Sequence, residues 1–138
     1  MYTKSAYLAL GALLTSLAGC AVTPTELRST SPDHRASFSM QQNYQAAYRA
    51  ILERQRACEQ AGLVTASVVV QGDLFTDIQS ATITTALHGG LGVMTMTVID
   101  LKATGEASTD VVIATAQPAA RYAAGIQRWL AGSRECNV

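Results

Sequence analysis

The spacing of apolar residues changes its period twice along this chain, and these changes constrain the fold more than any other feature. Residues 39 to 61 carry apolar side chains at helical spacing and charged side chains on the opposite face, which predicts an amphipathic helix. The period becomes two from Val64, as in a strand, and returns to helical spacing between Pro118 and Gly132. The chain therefore predicts a helix, a series of strands and a closing helix.

Local signals set the expected ends of these elements. Ser39 with Gln42 is typical of a capping box at the start of the first helix, and Gly62 suits its end. Gly89-Gly90 and Thr104-Gly105 predict hairpin turns between strands that are rich in β-branched residues. The strands are expected over 64–70, 78–87, 91–101 and 108–115. We predict an α+β domain, a two-layer sandwich in which both helices cover one face of an antiparallel sheet of about four strands (α-β-β-β-β-α).

The N-terminal segment has the features of an export signal. Lys4 precedes the apolar stretch 6–14, which is too short to span a bilayer of about 30 Å hydrocarbon thickness. This stretch leads to Leu17-Ala18-Gly19-Cys20, which resembles the lipobox of bacterial lipoprotein precursors. The resemblance covers residues 1 to 20 only, and it implies cleavage before Cys20 and a lipid anchor on the sulfur of Cys20. The alternative is an ordinary secretion signal followed by an ordinary cysteine.

The segment after Cys20 has the composition of a spacer. Residues 21 to 36 contain Pro24, Pro32 and many hydroxyl side chains, so we expect a flexible tether in which His34 is solvated. The predicted organisation is a signal peptide over 1–19, a lipidated cysteine and tether over 20–36, and one small domain over 37–138. Ala21 stands where an aspartate would imply retention at the inner membrane. The resemblance therefore implies the periplasmic face of the outer membrane, for a source with two membranes.

Export also bears on the other two cysteines, Cys58 and Cys136. In an oxidising compartment an even pair predicts a disulfide, with two free thiols or a metal site as the alternatives. With four strands, the closing helix would end far from Cys58. Three arrangements would allow the bond: a fifth strand over 74–76, a C-terminal tail over 133–135 that folds back, or a closing helix that crosses the sheet steeply. We favour the last two, since 74–76 has the pattern of an irregular link.

Few residues suggest chemistry. His88 precedes a glycine-rich turn, but a strand follows this turn where an anion site would need a helix, so the pattern favours a plain hairpin. The acidic residues at strand ends and turns form no acid–base pair: Asp73, Asp77, Asp100, Glu106 and Asp110. We expect no catalytic residue, metal ligand or cofactor. Ten basic and ten acidic residues create no positive field for nucleic acid.

The remaining signals concern surfaces. One face of the strands is expected to carry hydroxyl groups, either as a plain solvated face or as a surface for a partner (Thr65, Ser67, Thr82, Thr84, Thr95, Thr97). Edge strands are expected to be lightly guarded, by Asp100, Lys102 and Asp110, and so open to strand addition. The leading hypothesis is a non-catalytic adaptor or assembly factor that Cys20 anchors to the membrane and that binds an envelope protein. The alternative is a periplasmic module that binds a small ligand or wall polymer, or that inhibits a wall-degrading enzyme.

Overall fold

The computed structural model describes residues 22–62 and 64–136. The predicted signal peptide and Cys20 lie outside the described residues. The elements in chain order are α1 (Pro24–Arg28), a 3-10 turn (Pro32–His34), β1 (Arg35–Met40), α2 (Tyr44–Glu59), β2 (Ala61–Gly62), β3 (Ala66–Phe75), β4 (Ser80–Gly89), β5 (Gly92–Gly105), β6 (Ser108–Thr115) and α3 (Ala119–Leu130).

The strands form one antiparallel sheet in the spatial order β1-β6-β5-β4-β3-β2. The class is α+β, as the periodicity predicts, but the described residues contain six strands and three helices where about four strands and two helices were expected. The meander β3 to β6 corresponds to the four predicted strands. The two strands that the pattern missed, β1 and β2, flank α2 and add one strand at each side of this meander.

The main core lies between the sheet and the helices α2 and α3, which share one face as predicted. Ile51 from α2 and Ile126 from α3 are fully buried with aliphatic residues of the central strands, such as Ile83 and Ile99. Helix α2 approaches β3 so closely that a Cβ added at Gly72 would lie 2.5 Å from the Tyr48 hydroxyl oxygen. A glycine at this position of β3 therefore allows the helix to pack directly on the strand.

The first predicted helix is shorter than its apolar pattern, because part of that pattern belongs to β1. Ser39 and Met40 lie in β1, and the actual N-cap is Asn43, whose side chain accepts a hydrogen bond from the Gln45 amide at 2.9 Å. The predicted capping box of Ser39 and Gln42 is therefore wrong. A strand with every second side chain half-buried and a helix with a buried stripe both supply apolar residues at positions 40 and 44, so period alone did not separate them.

Residues 22 to 36 are ordered in the structure, in contrast to the flexible tether that composition predicts. Thr23 and Glu26 form a capping box that begins α1, and Leu27 is only 2% exposed because it packs on Val98 and Ala114. This contact covers part of the sheet face opposite α2 and α3. Further contacts hold this short helix on the sheet, since Val22 packs on the same cluster and Arg28 pairs with Asp100 at 2.7 Å. The helices therefore occupy both faces, and the two-layer prediction holds only for α2 and α3.

The disulfide between Cys58 and Cys136 is present, with a Cα–Cα distance of 5.2 Å. The tail after α3 turns at Gly132, which has a φ of 98°. It then packs on both helices, since the Trp129 indole donates to the Glu135 carbonyl and Arg54 donates to the Arg134 carbonyl. Of the three arrangements considered for this bond, the structure has the tail that folds back. Residues 74 and 75, read as an irregular link, belong to β3.

Candidate docking surfaces

The histidines and acidic residues singled out in the sequence do not converge. The described residues contain no group of three or more His, Cys, Asp or Glu side chains that could hold a metal ion. His88 is exposed at the end of β4, next to the two-residue turn of Gly90 and Leu91. His34 is half-buried rather than solvated, because its Nδ1 lies 3.1 Å from the Thr115 carbonyl oxygen. This contact joins the segment after α1 to the end of β6.

The predicted hydroxyl face exists only in part. Ser67, Thr82 and Thr84 point to the face opposite α2 and α3, as the strand pairing requires. Thr95 lies on that face too, but it is buried. A bulge in β5 shifts the register between Thr85 and Ala86, so that Thr97 points to the helix side instead. The bulge has no clear signal in an alternating Thr and Met sequence, so the face of Thr97 could not be read from the pattern.

The three residues expected to guard the strand edges lie in inner strands. Asp100 and Lys102 lie in β5, which is a central strand, and Asp100 is engaged by Arg28 at 2.7 Å and by Thr82 at 2.8 Å. Asp110 lies in β6 and accepts a hydrogen bond from Ser39 of β1. The three predicted guards therefore protect neither edge. Strand β5 is already an inner strand of the predicted four-strand meander, whereas β6 is an inner strand only because β1 pairs with it.

The outer side of β3 forms a partly free edge. Strand β2 covers only its beginning, by pairing Ala61 with Val68 and Gly62 with Ser67. Further along β3, the guanidinium of Arg56 in α2 donates to the Val70 carbonyl oxygen at 3.4 Å, so this carbonyl points away from β4. In an antiparallel ladder, alternate residues direct both backbone groups to the same side. The backbone groups of Val68 and Val70 point away from β4. By this alternation, Gly72 and Leu74 also direct their N–H and C=O groups to this edge.

The backbone groups of Gly72 and Leu74 make no other cross-strand pairing within the described part of the chain. Nearby side chains are apolar and partly exposed: Leu74 is 41% and Phe75 43% exposed. The one charged residue in β3 is Asp73. We call residues 71–75 the free edge. This edge is not predicted from sequence, because the predicted strand ends at residue 70, although the alternation continues through Gln71 and Asp73.

A second apolar surface lies at the other end of the sheet. Leu91 at the tip of the β4–β5 hairpin is fully exposed, and Val93 and Met94 are 48% and 40% exposed. Val64, also fully exposed, precedes Thr65, which with this hairpin lines an open groove of about 430 Å³. We call these four apolar residues, 64, 91, 93 and 94, the apolar tip. No Asp, Glu, Lys or Arg occurs in the sequence between Asp77 and Asp100, and His88 is the one titratable side chain in this part of the hairpin.

A buried polar cluster joins α2, α3 and β4 behind these surfaces. Gln55, fully buried, donates to the Thr85 hydroxyl and to the Tyr122 hydroxyl, both at 2.8 Å. The Tyr122 hydroxyl donates in turn to the carboxylate of Glu59. Burial raises the pKa of Glu59 above its ordinary value, and it raises that of Tyr122 together with the nearby carboxylate.

This cluster is a structural feature that the sequence analysis overlooked. Its signal is the stripe of α2 that faces the sheet, in which Tyr48 and Ile51 are followed at helical spacing by polar Gln55 and Glu59. A polar residue on a buried helical stripe needs partners, and Tyr122 with Thr85 supplies them. These hydrogen bonds tie α2 to α3 and β4, although the Oε1 of Gln55 is buried without a partner among the described residues.

Comparisons with known proteins add no relative. No protein-family model matches this sequence, and neither the curated proteins nor the solved structures give a significant match. Within residues 22–62 and 64–136, no helix has the length and apolar character to cross a bilayer.

Proposed function

We propose that this chain is a lipid-anchored adaptor of the bacterial envelope, attached through Cys20 to the periplasmic face of the outer membrane, and that it binds a protein partner along the free edge of β3. The observation that carries the second half is the pair of outward-facing residues Gly72 and Leu74. An exposed strand edge accepts an extended segment of another chain, because backbone groups on both sides then complete a ladder.

The side chains around this edge suit an apolar, extended partner segment. Leu74 and Phe75 alternate between the two faces of the sheet, so a paired strand could place side chains against both. Asp73 is the only charge that a partner would meet on β3 itself. A single carboxylate weakly discourages non-specific pairing and leaves room for one selective contact with a basic side chain.

The alternative of a module for a small ligand or wall polymer has less support. Such a site needs converging aromatic or polar side chains, and the aromatic residues Tyr44, Tyr48 and Trp129 are buried in the core. The groove at the apolar tip is lined mainly by aliphatic side chains and glycine. A retention assay on peptidoglycan tests this alternative directly, because a module that binds a wall polymer would be retained.

The anchor is tested by metabolic labelling with radioactive palmitate. The wild-type protein should be labelled, and Cys20→Ala should not be. An unlabelled wild-type protein would contradict lipidation. Fractionation of the labelled envelope then reports whether the protein lies in the outer membrane.

The edge is tested by photo-crosslinking in native envelopes. A photoreactive residue at Gln71 should give one stoichiometric protein adduct, and the same group at Val112, which is exposed on the inner strand β6, should give none. Leu74→Pro removes an outward N–H and should abolish the adduct, whereas Leu74→Ala keeps the N–H and should retain it. Equal adducts at both positions, or retention of the protein on peptidoglycan instead, would contradict partner binding at this edge.

A further inference from the structure

The chain between the predicted anchor and the folded body is very short. The Val22 carbonyl accepts a hydrogen bond from the Thr95 amide at 2.9 Å, beside the end of β6. Thr95 lies in the half of β5 that projects past β6, whose last residue pairs with Thr97. Cys20 is two residues before Val22, so their Cα atoms can be at most about 7 Å apart.

This docking brings the anchor to the same end of the sheet as the apolar tip. Leu91 is four residues from Thr95 along β5, which corresponds to about 13 Å. Val93 points to one face of the sheet and Met94 to the other, so apolar side chains are exposed on both sides of the hairpin. A leaflet that holds acyl chains on Cys20 must therefore lie close to this hairpin.

Exposed His88 pairs with Val93 at the base of the tip, and the charged groups of α1, α2 and β5 are set further back. Arg28 is paired with Asp100, nine residues from Leu91 along β5, or about 30 Å. Glu59 lies at the level of Thr85, on the helix side. The carboxylate closest to the docked segment is Glu26, which is held in the capping box by the backbone and hydroxyl of Thr23.

We propose that the apolar tip contacts the lipid leaflet directly, with Leu91 inserted among the headgroups and upper acyl chains beside the lipid on Cys20. This inference rests on the lipidation in the proposed function. The occupant is a lipid surface rather than a protein because the patch adjoins the attachment point and its hairpin contains no Asp, Glu, Lys or Arg between residues 78 and 99. The hairpin backbone is polar, so insertion is shallow and limited to the turn.

The contact fixes an orientation. With the tip in the leaflet, β4 and β5 stand away from the membrane, and the turn between β3 and β4 lies at the distant end. Ile78 in that turn is 55% exposed, which makes it a matched apolar control for Leu91.

The test measures the depth of single tryptophan substitutions. Leu91→Trp and Ile78→Trp are prepared as lipidated protein in phosphatidylcholine–phosphatidylethanolamine vesicles with brominated acyl chains. The expected result is a blue shift and a loss of emission by bromine quenching for Leu91→Trp, with no change for Ile78→Trp. The native Trp129, which is 4% exposed, supplies a constant background measured with the wild-type protein. Because no basic patch is involved, adding anionic lipid should leave the quenching unchanged.

Quenching at neither position, at both, or at Ile78→Trp alone would overturn the proposed orientation. A second preparation separates a failure of lipidation from a failure of membrane contact. In it, the thiol of Cys20, in a chain that begins at Cys20, is coupled chemically to a maleimide lipid. The Cys58–Cys136 disulfide protects the other two cysteines from this reaction. Absence of palmitate label in cells would then refute the anchor, whereas absence of quenching in the coupled protein would refute membrane contact by the tip.

Discussion

A substitution at Leu27 tests whether the segment after the proposed anchor is docked on the sheet or flexible. Its side chain is 2% exposed and packs with Val98 and Ala114, so Leu27→Ala removes buried apolar groups and leaves a cavity. Such truncations cost about 2 to 5 kcal/mol. Because this cluster is small and is covered by one short helix that can relax, we expect the lower part of that range, about 2 to 3 kcal/mol. Leu91→Ala is the matched control, since Leu91 is fully exposed.

The assay is amide hydrogen exchange followed by NMR on residues 21–138, expressed without the predicted signal peptide and without Cys20. The Thr95 amide reports docking directly, because its hydrogen bond is accepted by Val22. If α1 opens as a local unit, a loss of about 2.7 kcal/mol corresponds to exchange at Thr95 that is about 100-fold faster in Leu27→Ala. Amides of the central strands should be affected much less.

The contrary result would be exchange at Thr95 that is the same in Leu27→Ala, Leu91→Ala and the wild type. It would mean that residues 22 to 28 do not rest on the sheet in solution, as the composition of this segment predicts. The membrane contact of the apolar tip would then lose its geometric basis, because a mobile segment would release the sheet from the anchor. Lipidation of Cys20 would be unaffected by that outcome.

Three further predictions concern the body of the domain. Gly72→Ala should destabilise it by about 1 to 3 kcal/mol in urea denaturation because the added Cβ meets α2, whereas Gly90→Ala, with no neighbour within 4 Å, should have little effect; equal effects would contradict the close packing. Removing the disulfide with Cys58→Ser and Cys136→Ser should cost about 4.5 kcal/mol for a separation of 78 residues, and an unchanged melting temperature would contradict this. Burial raises the pKa of Glu59 above 4.5, so the folded state holds this proton to higher pH than the unfolded chain, and the free energy of unfolding should fall as pH rises past about 4.5. Glu59→Gln should reduce that fall in a pH series of denaturation curves, and an identical slope would refute the assignment.

The meander and the closing helix were predictable from sequence because their signals are local. Period-two spacing with β-branched residues identified β3 to β6, although their ends were displaced by a few residues. Pro118 and Gly132 bracket α3, which runs over Ala119–Leu130. The cysteine count identified the disulfide partners, since the resemblance at Cys20 removes the third cysteine.

The elements that were missed depend on contacts distant in sequence. Strand β1 has only six residues, and its pairing with β6 joins Phe38 to Val111 across the chain. Helix α1 is too short to be stable alone and depends on Leu27 meeting the sheet. The free edge of β3 was not predicted either, because the predicted strand ends at residue 70 and the two residues of β2, which cover the beginning of β3, have no strand pattern of their own.

The two proposed surfaces, the free edge and the apolar tip, lie at opposite ends of the strand pair β3 and β4, which fixes the distance between them. Leu74 pairs with Ala81, which is eight residues along β4 from Gly89 at the hairpin, so the free edge lies about 25 Å from the apolar tip. A flexible tether would let a bound partner sample many distances from the membrane. With the segment after Cys20 docked on the sheet, β4 sets this distance, and a partner strand on β3 would be held near the leaflet in one orientation. A glycine–serine linker inserted between Cys20 and Val22 should therefore remove the quenching of Leu91→Trp. Lipidation and crosslinking at Gln71 should be preserved. Quenching that survives the linker would show that the tip enters the leaflet by its own affinity, without the short connection to Cys20.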